Sequence, residues 1–219
     1  MLDIQFEEEI EAWEVPSLRG AVVATVGKEN ILFHNHSDTN FRYSYPLIQY
    51  KRVNKKPHLI CIEQGVDEVY RFFENKQEGI MLGKRLYELK VEKLSLNSFT
   101  MQVWDKSFDY FMQEWLPLNQ KNFVEYAKLN SELERLEFLE KILIGNILSF
   151  AKGLEWNIES QIKLRIKNIV RTSFIKVKDV KREAFTINFS TNIFLPNHIG
   201  LGKNASIGFG VVKSVNDKK

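Results

Sequence analysis

The chain has 219 residues but only one cysteine, five prolines and four histidines, and no long apolar run. A single thiol, Cys61, cannot close an intrachain disulfide and offers no zinc set. Within Leu59-Ile60-Cys61-Ile62 it reads as a small buried hydrophobe. No stretch approaches the roughly 18 apolar residues that cross a bilayer. The start, Met1-Leu2-Asp3, lacks the basic and apolar regions of a signal peptide. The expectation is a cytoplasmic protein with no membrane partner. Low-complexity linkers and internal repeats are also lacking.

What is present suits a soluble globular protein: 44% hydrophobic and 27% charged residues. The length allows one large domain or two of about 100 residues each. Net charge is only +3, but it is unevenly spread. From Glu155 to Lys219 there are 12 Lys/Arg against 5 Asp/Glu, a net of +7, whereas Met1 to Leu154 holds 19 against 23, a net of −4. A basic C-terminal third suits a polyanion partner, although a solvated basic face is the plain alternative.

Along the chain, Leu2, Ile4 and Phe6 alternate as in a strand, followed by an acidic rim of Glu7, Glu8, Glu9, Glu11 and Glu14. Pro16 opens a helical segment with Leu18, Val22 and Val26 at helical spacing. Phe41 to Lys51 reads as a strand, Asn54-Lys55-Lys56-Pro57 as a turn, and His58 to Ile62 as the return strand. Val66, Val69, Tyr70 and Phe73 mark one face of a helix, and Ile80 to Leu96 reads as further strand. Strand, helix, hairpin, helix, strand is the ferredoxin-like βαββαβ order.

A second unit follows. Phe108 to Trp115 is strand-like and Asn122 to Leu129 helical. Ser131 with Glu134 forms a capping box, ahead of a helical face of Leu133, Leu136, Leu139, Leu143, Ile147 and Phe150, closed by Gly153. Ile162-Lys163-Leu164-Arg165-Ile166-Lys167 alternates apolar and basic residues, giving one buried and one basic strand face. Phe174 to Lys178 and Phe185 to Phe189 continue that pattern. The expected fold class is α+β, two tandem ferredoxin-like (RRM-like) domains at 1–97 and 98–219.

Two features carry chemistry. His34 and His36, if their backbone is extended, point to one side with Cα atoms roughly 7 Å apart. One imidazole can then take a proton from a 2′-OH and the other give one to the departing 5′-oxygen. Three plainer readings stay open: two zinc ligands lacking a third, a surface pair in a turn, or one packed and one exposed histidine. The second feature runs from Gly200 to Gly210. Two Gly-apolar-Gly triplets (Gly200, Gly202 and Gly208, Gly210) flank a middle that holds Lys203, Asn204 and Ser206. Glycine allows positive φ and close backbone approach, and successive N–H groups can cradle phosphate. The loop is neither a dinucleotide fingerprint nor a P-loop, since no βαβ unit surrounds it and no Gly-Lys-Ser/Thr closes it.

That glycine pattern near the C-terminus resembles the signature of the RAMP superfamily of CRISPR-associated RNA-binding proteins. Within it the chain is similar to the b subtype of endoribonucleases that cut CRISPR precursor RNA. The shared feature is a pair of histidines followed by Tyr43-Ser44-Tyr45-Pro46-Leu47-Ile48-Gln49-Tyr50-Lys51. The resemblance implies metal-independent cleavage without a cofactor, leaving a 2′,3′-cyclic phosphate and a 5′-OH. It places His34 and His36 on the catalytic pair and Tyr43 on a tyrosine that holds the scissile phosphate. Lys51 is a candidate to offset charge on the pentavalent phosphorus. Phosphate contacts are expected from Lys163, Arg165, Lys167, Arg171 and Lys203, with Gly200, Gly202, Ser206, Gly208 and Gly210 of the loop. His198 is a further candidate for RNA contact or structure, and His58 receives no role. Implied partners are CRISPR repeat RNA, other subunits of an interference complex, and a second copy of the chain. The alternatives are a non-catalytic RAMP subunit that binds guide RNA and, with less support, a housekeeping RNA-binding protein.

Overall fold

The structure is a computed structural model that describes residues 1–34, 45–75, 79–177 and 180–215. It divides into two compact units: Met1–Phe99 with Ser206–Gly208, and Thr100–Ala205 with Phe209–Lys219. Each unit has its own sheet of four strands.

The first unit runs β1 (Leu2–Phe6), α1 (Val15–Val26), the single turn α2 (Ile31–His34), β2 (Ile48–Val53), β3 (Lys56–Cys61), α3 (Gln64–Glu74), β4 (Gly79–Leu82), β5 (Arg85–Glu88) and β6 (Val91–Leu96). Its sheet has the order β2-β3-β1-β6, antiparallel throughout, while β4 and β5 form a separate ribbon. Period-two alternation buries Ile4 and Phe6 of β1. Val15, Leu18, Val22 and Val26 of α1, which carries Pro16 in its first turn, join the same core as Val69 and Phe72 of α3. A two-residue turn at Asn54 and Lys55, both with positive φ, joins β2 to β3, as a tight hairpin with right-handed strand twist requires.

Two expectations are corrected here. Helix α3 buries Gly65, Val69 and Phe72, a stripe at i, i+4 and i+7. Tyr70, placed on that face by the sequence, is 64% exposed. Ile80 to Leu96 is not one continuous strand but parts of three, interrupted at Gly83, which has φ +63°, and again before Val91.

The second unit contains β7 (Val103–Trp115), α4 (Gln120–Ala127), α5 (Glu132–Gly153), β8 (Leu164–Val177), β9 (Val180–Ile193) and β10 (Val211–Ser214). Its order, β10-β7-β9-β8, repeats that of the first sheet when strands are counted within each four-stranded sheet. Tandem ferredoxin-like folds are therefore the architecture. One difference bears on the C-terminal loop: no helix lies between β9 and β10, and a loop over 194–210 makes that connection. The capping box of α5 is formed, with Ser131 Oγ accepting from Glu134 N at 3.1 Å and Glu134 accepting from Ser131 N at 3.1 Å. Leu139, Leu143, Ile147 and Phe150 of this helix are buried, whereas Leu133, at its start, is exposed. Among the described residues no helix is long and apolar enough to cross a membrane.

Candidate functional site

His34 ends the one-turn helix α2, so the extended backbone considered for it is not the one it adopts. His36 and Tyr43 lie outside the described residues. The turn is held from two sides. Tyr50 of β2, fully buried, donates its hydroxyl to the Phe33 carbonyl at 3.2 Å, and the Arg19 guanidinium of α1 donates to the His34 carbonyl. Carbonyls at a helix C-terminus have no intrahelical donor and carry partial negative charge, so a cation and a hydroxyl are suited to them. Burial pulls the Arg19 guanidinium below its ordinary pKa, an effect partly offset by Tyr50. The half-buried His34 ring donates from Nε2 to the Lys28 carbonyl at 2.5 Å, which places a proton on that nitrogen. Arg19 escaped the sequence reading because its partner lies 15 residues away on another element.

Lys51 has a different setting from the solvated strand lysine its position suggested. It stands opposite His58 of β3, and His58 stands opposite Gln5 of β1, on the face away from Ile4 and Tyr50. Lys51 is 0% exposed, and burial lowers its ammonium pKa to about 7. A direct contact with RNA phosphate is closed to it in this structure. His58, also buried, donates from Nδ1 to Asp3 Oδ1 at 2.7 Å. Cys61 is fully buried, as its apolar run predicted, and burial raises its thiol pKa.

The glycines of the C-terminal loop solve a packing problem first. Gly202, Gly208 and Gly210 have φ of +86°, +94° and +61°, a region unfavourable to residues with a Cβ. A Cβ on Gly210 would sit 1.9 Å from the Leu201 carbonyl oxygen, and one on Gly202 would sit 2.7 Å from Trp115 Nε1. That indole donates to Asn146 Oδ1 of α5 at 2.9 Å. Several loop amides also serve the fold. Leu201 N donates to Gly210 O at 3.0 Å, Lys203 N to Leu116 O at 3.3 Å, and Gly210 N to Glu114 O at 3.2 Å. These three cannot contribute to a phosphate cradle at the same time. Ser206–Gly208 belongs to the first unit, where Ser206 O accepts from Tyr50 N at 2.8 Å and Ile207 bridges to β2 in parallel. His198, with φ +70°, donates its amide to Val212 O at 2.8 Å.

The basic strand face is exposed, and two bulges shift its register. Leu164 and Ile166 of β8 are buried while Lys163, Arg165, Lys167 and Arg171 are exposed. Lys167 and Val170 are extra residues in the pairing with β9, so Arg165, Asn168 and Arg171 oppose Ser190, Asn188 and Thr186 on one face. Simple alternation would have sent Asn168 to the other side. Two of these cations already have acidic neighbours: Arg165 meets Glu140 of α5 at 3.3 Å, and Lys167 meets Asp109 of β7 at 2.7 Å. Glu140 also accepts from Ile166 N at 2.9 Å. Lys203 is partly buried, and its pKa is lowered by that burial and then by the charge of Arg182.

With this geometry in view, family models match the two halves of the chain. The Cas6b N-terminal domain matches residues 1–100 and the Cas6b C-terminal domain matches residues 102–215. The chain belongs to the Cas6b family. A crystal structure of Cas6b is 30% identical, with 98% of each chain covered and a TM-score of 0.89. A second, described as a CRISPR RNA processing endoribonuclease Cas6b, is 27% identical over 98% of this chain and 97% of that one, with a TM-score of 0.76. The uncharacterized protein MJ0978 of Methanocaldococcus jannaschii is 38% identical over 110 residues, 49% of this chain and 71% of the relative.

Proposed function

We propose that this Cas6b-family chain is an endoribonuclease that cuts CRISPR precursor RNA within its repeats, without a metal ion. The observation that carries the reading is the likeness over nearly the whole chain to a Cas6b described as a CRISPR RNA processing endoribonuclease. In the step itself one imidazole takes the proton of a 2′-OH, and the 2′-oxygen bonds to the adjacent phosphorus. The P–O5′ bond breaks, and the other imidazole returns a proton to the 5′-oxygen. The products are a 2′,3′-cyclic phosphate and a 5′-OH. His34 and His36 are the proposed pair and Tyr43 the residue that orients the phosphate. Because its side chain is enclosed, Lys51 acts in this reading from within the sheet and not on the phosphorus. The exposed cations of β8 and Lys203 supply salt-dependent affinity.

The test is single-turnover cleavage of the cognate repeat RNA in excess EDTA. His34→Ala and His36→Ala should each slow the reaction by roughly 10²-fold or more, with little change in repeat affinity. Their double substitution should cost far less than the product of the single effects, because the two groups act as a unit. Near-parental rates in both single variants, with tight binding intact, would leave a non-catalytic RNA-binding subunit as the better reading.

A further inference from the structure

The second unit has a groove of about 900 Å³ between the start of α4 and the stem of the β8–β9 hairpin, large enough for ligand-sized groups. Its chemistry is unlike that of the basic strand face. Lys121 and Phe123 line it from α4, Phe174 from β8, Lys181 and Arg182 from β9, and Lys203 from the glycine-rich loop. Both rings are open to solvent, Phe123 at 47% and Phe174 at 59%. Lys181 Nζ lies 4.6 Å from the centre of the Phe174 ring. Arg182 Nε is buried and makes no hydrogen bond. Among the described lining residues Glu183 is the one acid, and burial raises its carboxyl pKa.

Two observations narrow the ligand. Lys203, Lys181 and Arg182 line one groove, and the charge of Arg182 disfavours the Lys203 ammonium, so an anion bound beside these cations offsets like-charge repulsion. Two exposed rings beside these cations offer flat apolar surface that phosphate alone does not use. Paired nucleic acid hides its base faces in the stack, and A-form duplexes are read by shape and backbone. Unpaired nucleotides present both a charge and a π-face that can stack on aromatic side chains whatever the base.

We infer that this groove is a stacking subsite for unpaired RNA nucleotides, with Phe123 and Phe174 as base platforms and Lys121, Lys181, Arg182 and Lys203 as phosphate partners. The inference rests on the RNA-directed reading of this family member. It adds that the C-terminal unit grips single-stranded RNA at a place separate from the β8 cations.

Binding of a short labelled oligouridylate tests it, since that probe has no internal pairing and no repeat sequence. Phe123→Ala and Phe174→Ala should each weaken binding by roughly 5- to 100-fold without changing its salt slope. Lys181→Ala and Arg182→Ala should each reduce the slope of log affinity against log salt by about 0.7. Trp13→Ala, an exposed aromatic of the first unit, should bind as the parent does. Both phenylalanines are exposed, so an unchanged melting temperature should show that their variants fold. In the parent protein, photo-crosslinks from 5-iodouracil in the probe should map to Phe123 or Phe174.

Parental affinity in both phenylalanine variants, with crosslinks elsewhere, would overturn the subsite. So would equal binding of an RNA duplex, or equally effective competition by polyglutamate, which would mark a docking face for an acidic protein. Failure of the parent to cut repeat RNA would sink the endoribonuclease reading and leave the oligouridylate result standing.

Discussion

The sheets of the two units share one strand order but are covered differently. In the first, the connection from β3 toward β6 contains α3, whose Val69 and Phe72 pack into the core. In the second, the matching connection is the loop over 194–210, which buries Leu195, Ile199, Leu201 and Ala205. A helix satisfies its own backbone groups, whereas a buried loop must find partners for each one. This loop does so with short internal bonds such as Leu201 N to Gly210 O, and with Asn197 Oδ1, which accepts from Ser214 N at 2.6 Å. Pro196 and the four glycines disfavour a helix over the same span. The comparison teaches that the glycine signature is the local condition for replacing a crossover helix with close-packed backbone.

The hardest way to break that replacement is Gly210→Val. Positive φ costs a branched residue about 1–2 kcal/mol, and its Cβ would also collide with the Leu201 carbonyl. A loss of at least about 4 kcal/mol is expected, a large share of the 5–15 kcal/mol typical of a domain. Denaturant titration checks it, and parental stability would show that the loop opens at low cost.

A smaller effect sharpens the equivalence of loop and helix. Leu201→Ala and Phe72→Ala each remove a fully buried side chain and should each cost about 3 kcal/mol. If Leu201→Ala costs only a few tenths, the loop covers its sheet without helping to hold it.

The smallest predicted effect sets the buried charges of the units apart. The first unit buries Lys51 and also Glu14, which pairs with Arg85 at 3.3 Å, and the second buries Glu140, which accepts from Arg165 and Ile166 N. The Lys51 pKa is about 7 when folded and near 10.4 when unfolded. Between those values the unfolded chain binds more protons, so stability rises with pH by up to about 1.4 kcal/mol per unit. That contribution is present above the unfolded value and is lost as pH falls toward the folded one. Lys51→Met should flatten the rise in melting temperature between pH 7 and 8.5, relative to the parent. An unchanged slope would mean that Lys51 keeps its charge when folded.

Much of this molecule is legible from local pattern. The alternation of Leu2, Ile4 and Phe6, the valine spacing after Pro16 and the capping box at Ser131 each use contacts within a few residues. All three elements formed where those patterns lie. The Gly200–Gly210 signature and the histidine pair followed by a tyrosine-rich segment were enough to indicate the family. Non-local contacts were decided only in three dimensions. The helical state of His34 depends on Arg19 and Tyr50 from other elements, the enclosure of Lys51 on the face that β2 presents, and the line of Arg165 and Arg171 on two bulges set by pairing with β9. The glycine signature likewise announced a special backbone, yet only the fold showed that Leu201, Trp115 and Tyr50 claim much of it. Sequence pattern reports which residues favour which backbone and which side seeks burial. It does not report which distant group occupies the space beside them, and burial, protonation and hydrogen bonding are set by that neighbour.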